Sequence, residues 1–204
     1  PSRPAPFWKK CTMSTMLVKN ADHLVTMDDQ RREICDGGVY IENGVITAVG
    51  VSADLPETAD EVIEAAGCVV TPGLINTHHH FFQNLTRAVP AAQNATLFDW
   101  LQTLYPIWAR MGPEEIWIST QLALAEMALV GGTCTADHLY MFPNGASLDN
   151  EIEAAAGIGL RLHATRGAMS IGESNGGLPP DTLVEREDAI LADTLRVIQA
   201  YHNP

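Results

Sequence analysis

Apolar and polar residues alternate as in strands through the first third of the chain. A helical period takes over afterwards. Residues 16–26 (MLVKNADHLVT) read as a strand, a turn and a second strand. Residues 38–50 (GVYIENGVITAVG) carry two β-branched runs joined at Asn43-Gly44. That dipeptide between apolar runs is the strongest short hairpin signal, because it tolerates the positive φ angles of a two-residue turn. Residues 61–70 (EVIEAAGCVV) predict another strand pair, bent at Gly67. The region is a small all-β module with acidic turns.

The pattern then changes. Residues 69–76 (VVTPGLIN) form one apolar run without alternation, which predicts a continuous strand buried on both faces, as in a parallel sheet. Pro113 after Gly112 marks a helix start. Ile116, Thr120, Ala123, Met127 and Val130 then make a helical stripe that Gly131-Gly132 stops. A short strand over 133–136, a helix over 149–156 ended by Gly157 and Gly159, and a strand over 160–164 follow. An amphipathic helix over 185–201 has Ile190, Leu191, Leu195, Ile198 and Tyr201 on one side. Strands alternating with helices imply an α/β fold with a parallel sheet. About three such strands are present, fewer than half of the eight that close a (β/α)8 barrel. The chain stops just after a helix with no strand to return to, so a truncated chain is expected. Residues 1–15 read as a disordered arm or an expression remnant, with Met13 or Met16 as the natural start.

Composition adds limits. The chain has 204 residues, 46% of them hydrophobic, and a formal net charge of −13. Such a charge repels nucleic acid and anionic membranes, so neither is expected as a partner. Cys11, Cys35, Cys68 and Cys134 form no Cys-x-x-Cys pair. Free thiols in a reducing, cytoplasmic setting are expected. There is no apolar run long enough to span a bilayer, and the first residues lack the apolar core of a signal peptide.

The chemistry centres on the run Pro72-Gly73-Leu74-Ile75-Asn76-Thr77-His78-His79-His80. Strand alternation puts His78 and His80 on one side and His79 on the other. Two imidazoles so placed can both reach one divalent ion at roughly 2.0–2.1 Å. The bland alternative is a solvated histidine loop, but the buried strand that leads into the triplet argues for the metal site.

The stretches NGVITAVG and VVTPGLINTHHH resemble the amidohydrolase superfamily. That resemblance implies a small β-sandwich, here residues 16–68 as its N-terminal part. It implies that residues 69–204 are the first part of a metal-dependent (β/α)8 barrel, with His78 and His80 as paired metal ligands at the end of its first strand. Zinc is favoured, with iron the other option. The segments HHHFFQNLTRAVP, LFDWLQTLYPIWA, ADHLYMFPNG and LRLHATRGAMS resemble the branch of 8-oxoguanine deaminases, hydroxyatrazine-type ethylaminohydrolases and guanine deaminases. This implies a hydrolytic deaminase of an aromatic N-heterocycle such as 8-oxoguanine or guanine, acting on C–N bonds of cyclic amidines. Water attacks the amine-bearing ring carbon and ammonia leaves. Gln83, three residues past His80, takes the place that faces the heterocycle in guanine-type relatives; its bland role is a backbone contact at a helix start. Arg166 is the candidate for a ring carbonyl, with Arg87 as competitor, and either can instead pair with a structural carboxylate. Asp137 and His138 are candidates for supporting the site. His163 is as readily a core residue. Trp100, Tyr105 and Trp108 suit a pocket wall and helix packing equally. Cys134 reads as a small core residue rather than a nucleophile. The remaining metal ligands and the proton shuttle belong to later barrel strands, and His202 is no replacement. The chain therefore carries no catalytic acid or base of its own and is expected to be inactive alone. The competing readings are a triazine aminohydrolase, a dihydropyrimidinase-like or deacetylase amidohydrolase, and a non-catalytic fragment. A homo-oligomer is expected, with a small heterocycle as substrate.

Overall fold

The computed structural model describes residues 14–202. They form two compact units divided between Gly73 and Leu74. The reading of residues 1–15 and the place of Cys11 and Met13 lie outside the described residues, apart from Ser14 and Thr15.

The first unit is a sheet of β1 (Thr15–Val25), β2 (Glu33–Glu42), β3 (Val45–Val51), β4 (Glu61–Glu64) and β5 (Val69–Val70). Its order is β3-β2-β1-β4, and β5 also pairs with β1. The β2–β3 hairpin turns where expected. Asn43 and Gly44 take φ of 52° and 79°, the two positive angles that a primed turn needs. Residues 61–70 likewise form two short strands bent at Gly67, φ 79°, and both run parallel to β1.

Residues 16–26 differ from the expectation. They are one strand, not two. The register shifts between Val18 and Ala21, where Asn20 has a φ of 58°. The Asn20 amide donates to Ser52 Oγ at 2.7 Å and its Nδ2 to Glu64 Oε2 at 2.9 Å. A bulge absorbs the polar residues that a turn would have used, so the flanking apolar runs stay in one ladder.

The second unit is a parallel sheet of β6 (Leu74–Asn76), β7 (Gly132–Leu139) and β8 (Arg161–Arg166), neighbours in chain order. Helix α1 (Leu97–Trp108) and helix α2 (Pro113–Leu129) lie between β6 and β7 in sequence. Helix α3 (Leu148–Ile158) lies between β7 and β8, and α4 (Glu187–Tyr201) follows β8. The Gly112 amide donates to Glu115 Oε2 at 2.7 Å, which closes the start of α2. Gly159, φ 88°, caps α3 in the left-handed conformation. The core gathers around the fully buried Trp108, with Phe82, Leu104, Ile116, Leu139 and Met141. No helix among the described residues is long and apolar enough to cross a membrane.

Two further expectations change. Residues 69–76 are not continuous strand. Pro72 has no N–H to give a ladder. Val69 and Val70 therefore pair with β1, and Leu74 to Asn76 pair with β7. Nor is the segment buried on both faces: Leu74 is 62% and Ile75 69% exposed. Nothing among the described residues covers the Ile75 side of the sheet, whereas Asn76 Nδ2 meets Thr135 Oγ1 at 3.3 Å on the other side. In α4, Val197 is buried, while Leu191, Leu195 and Ile198 of the expected stripe are exposed. Polar contacts tie this helix to α3. Arg196 grips Asp149 through two bonds of 3.0 and 2.7 Å. Tyr201 Oη donates to the same carboxylate at 2.6 Å.

Candidate metal and substrate site

Strand β6 ends at Asn76, so the histidine triplet occupies the loop that follows, before a 3-10 helix over Phe81–Thr86. The loop is tied down by its backbone. The His78 amide donates to Asn76 Oδ1 at 3.3 Å, the His138 amide to the His79 carbonyl at 3.0 Å, and the Gln83 amide to the His80 carbonyl at 3.1 Å. The expected division of the triplet holds even without a strand. His78 and His80 come together, with ring centroids 5.1 Å apart and planes at 88°. His79 turns to the other side, toward the buried Asp137.

The hydrogen bonding of His80 fits a metal ligand. Its Nδ1 lies 2.7 Å from the backbone carbonyl of His138. A carbonyl can only accept, so Nδ1 carries the proton and Nε2 keeps a free lone pair. The ring spacing also fits. Two imidazoles that bind one tetrahedral ion through Nε2 have ring centres roughly 5 Å apart. Among the described residues, no group of three or more His, Cys, Asp or Glu side chains is placed to hold a metal. The pair alone supplies two of the ligands that such an ion would need.

Aromatic side chains surround it. The His80 ring is 5.6 Å from that of His138 and 5.3 Å from that of Tyr140. Burial pushes the Tyr140 hydroxyl above its ordinary range, while a hydrogen bond from the Gln83 side chain partly offsets this. Gln83, His80, His138 and Tyr140 thus form one cluster. Glycine is required beneath it: a Cβ on Gly167 would lie 2.5 Å from His138 Nε2 and 2.7 Å from Tyr140 Cβ. Tyr140 was missed by sequence reasoning. Alternation through Cys134, Ala136 and His138 of β7 reaches Tyr140 just past the end of the strand, and that was the available signal.

Behind the triplet lies a carboxyl pair. Asp137 and Glu151 are each only 1% exposed. The Phe81 amide donates to Asp137 Oδ1 at 2.7 Å. Burial pushes the Asp137 carboxyl up to about 7. Burial, and then the neighbouring Asp137 charge, push Glu151 well above the carboxylate range. The folded state therefore holds protons that the unfolded chain gives up near pH 4, and the sign follows. The pair's contribution to stability is complete below that pH and declines as pH rises toward neutrality. Glu151→Gln cannot ionise. The urea midpoint of the unsubstituted chain is expected to drop, relative to this variant, between about pH 5 and about pH 7. A difference that stays constant over that range would show the pair to be ionised throughout.

Other candidates are placed differently. The Arg166 side chain is 4% exposed and donates to Glu185 Oε1 at 2.6 Å and Asp193 Oδ2 at 3.1 Å. Its guanidinium also sits 4.4 Å over the Phe142 ring. Strand alternation sets it on the face of β8 opposite His163 and Thr165, which are exposed. Arg87 is exposed and pairs with Glu126 at 2.7 and 2.8 Å. Trp108 and Tyr105 are buried in the core and Trp100 packs against it, so α1 takes the packing role. Cys35, Cys68 and Cys134 are free thiols. Cys134 is half-buried in β7, and His202 is exposed just beyond α4.

Residues 69–202 match the amidohydrolase family model. This chain belongs to the amidohydrolase family. It is 46% identical over 171 residues to 8-oxoguanine deaminase of Pseudomonas aeruginosa, which covers 81% of this chain and 38% of that protein. It is 33% identical over 208 residues to hydroxydechloroatrazine ethylaminohydrolase of Pseudomonas sp. strain ADP, covering 94% and 43%. Its fold matches atrazine chlorohydrolase of Arthrobacter aurescens, solved in complex with zinc, with a TM-score of 0.82 and 32% identity over 93% of this chain and 44% of that one. This amidohydrolase chain therefore spans about two-fifths of the length of the curated relatives it matches.

Proposed function

We propose that the full-length protein carrying these residues is a metal-dependent hydrolytic deaminase of an aromatic N-heterocycle, with an 8-oxoguanine- or guanine-like purine as substrate. The observation that carries this reading is the 46% identity to an 8-oxoguanine deaminase over a segment that includes the converging His78–His80 pair and Gln83. We take residues 69–204 as the first part of a (β/α)8 barrel and 16–68 as part of a β-sandwich. Remaining strands complete the site and supply the acid–base groups.

His78 and His80 would hold one divalent ion, zinc by preference, which supplies an activated water at neutral pH when bound. The chain's own residues do the rest of what is assigned here. The His138 carbonyl fixes the His80 tautomer. Gln83, held beside Tyr140, offers an amide that both donates to and accepts from a ring carbonyl and N–H pair. Arg166 is proposed as a second contact to a ring carbonyl, its guanidinium oriented by Glu185 and Asp193. The ring carbon bearing the amine is attacked by water and ammonia is released. We place the protein in the cytoplasm as a homo-oligomer.

Ammonia release by the full-length, metal-loaded protein tests the reading. Turnover of 8-oxoguanine or guanine above that of hydroxylated aminotriazines is expected. Preference for the triazine would favour the second reading, which the fold match to a triazine-acting enzyme supports. Metal bound with no turnover of any of these rings would sink the deaminase assignment and leave the dihydropyrimidinase-like or deacetylase reading.

A further inference from the structure

We propose that Asp137 and Glu151 act together as a positioning unit for the histidine pair and Gln83, through the Phe81 amide. The proposal rests on the reading above that His78 and His80 hold the metal. Asp137 points from β7 toward α3, on the side of the strand opposite His138. Glu151 comes from α3, where Ala154 and Ala155 continue the same buried face. An acid at such a position is unusual, because a buried carboxyl without a partner is strongly disfavoured. Asp137 Oδ2 and Glu151 Oε1 are buried and have no other hydrogen-bond partner. A proton held between the two side chains accounts for both. That leaves Asp137 Oδ1 to accept from the Phe81 amide at 2.7 Å.

The place of that bond gives it consequence. Phe81 directly follows His80 and opens the 3-10 helix that carries Gln83. Its side chain is 1% exposed, and its amide has left the β6 ladder, so the carboxylate is the acceptor that holds the chain there. His79 Nδ1, buried and 4.0 Å from Asp137 Oδ1, is set against the same group. On the far side of this anchor, His78 and His80 converge. The carboxyl pair touches neither metal nor substrate. It acts by fixing the loop between them.

The test uses cobalt(II) as probe in the full-length protein, with visible absorption, affinity by chelator competition, and melting as readouts. The Asp137→Leu, Glu151→Leu double variant removes the acceptor while keeping an apolar-packed core, an exchange that buried polar pairs often tolerate. It is expected to melt within a few degrees of the unsubstituted protein yet bind cobalt about 10–100-fold more weakly, with a changed spectrum. Asp137→Asn and Glu151→Gln keep an acceptor for Phe81 and a donor between the side chains. They are expected to stay within about threefold. The proposal is overturned if the folded double-leucine variant keeps affinity and spectrum. It is equally overturned if either amide variant, folded, loses tenfold or more, which decides the matter should the double variant not fold. Failure of the unsubstituted protein to bind cobalt would instead count against the metal reading itself.

Discussion

His80→Ala in the full-length protein is expected to empty this metal site and lower turnover by at least about a thousandfold, the scale set by losing a metal-activated water at neutral pH. His80 is the more consequential of the pair because its tautomer is already fixed. The Nδ1 bond to the His138 carbonyl leaves the Nε2 lone pair available to an ion. Alanine would remove a donor that needs no reorganisation. His78→Ala removes the partner 5.1 Å away and should act in the same direction. His79→Ala is the control, since that ring faces Asp137 and not the pair. It should leave most of the metal in place. Metal stoichiometry by elemental analysis and kcat/KM decide together. A His80→Ala protein that keeps one tightly held metal and its turnover refutes the assignment.

Trp108→Ala should produce the largest loss of stability. The indole is fully buried. It meets Phe82 edge-on at 5.0 Å, with Trp100 and Tyr105 at 5.3 and 5.5 Å. Its Nε1–H donates to Thr86 Oγ1 at 3.0 Å. Truncation leaves a large cavity and removes one of the two hydrogen bonds of the Thr86 hydroxyl, which keeps its bond to the Gln83 carbonyl, a cost of roughly 3–5 kcal/mol. Spread over a unit of this size, that is a fall in melting temperature of roughly 6–20 °C. Calorimetry measures it. A shift of only a degree or two would mean that the aromatic cluster is not the centre of the core. Phe82 adjoins His80 as well, with ring centroids 6.1 Å apart, so this core also backs the site.

Local chemistry made much of this legible in the sequence. Asn43-Gly44 can do little but turn, and Gly112-Pro113 and Gly131 bracket α2 because few other residues start or stop a helix so clearly. His-x-His survived for a different reason from the one the pattern suggested. The strand ends at Asn76, and loop bonds rather than pleating keep His78 and His80 together. What failed were inferences from runs of apolar residues. Residues 69–76 look like one strand, but Pro72 divides them between two sheets. Residues 16–26 look divided, but a bulge at Asn20 unites them. In α4, most of the expected apolar stripe is exposed, while Arg196 and Tyr201 bond to Asp149 of α3. Glu151 could have been found, since it falls in register with Ala154 and Ala155. Its pairing with Asp137 could not, because β7 and α3 bring the two together only in three dimensions. Arg166 shows the same limit: nothing local announces its pairing with Glu185 and Asp193.

The bond from His80 to the His138 carbonyl bears on how freely this surface can vary. The acceptor belongs to the main chain, so any side chain at position 138 leaves it in place. The side chain at 138 can change while the protonation form of His80 is inherited unchanged from the strand. Only a change in the path of the strand itself, such as an inserted or deleted residue in β7, would reach it. A descendant of this protein can therefore alter the side chain at position 138 and keep the His80 tautomer.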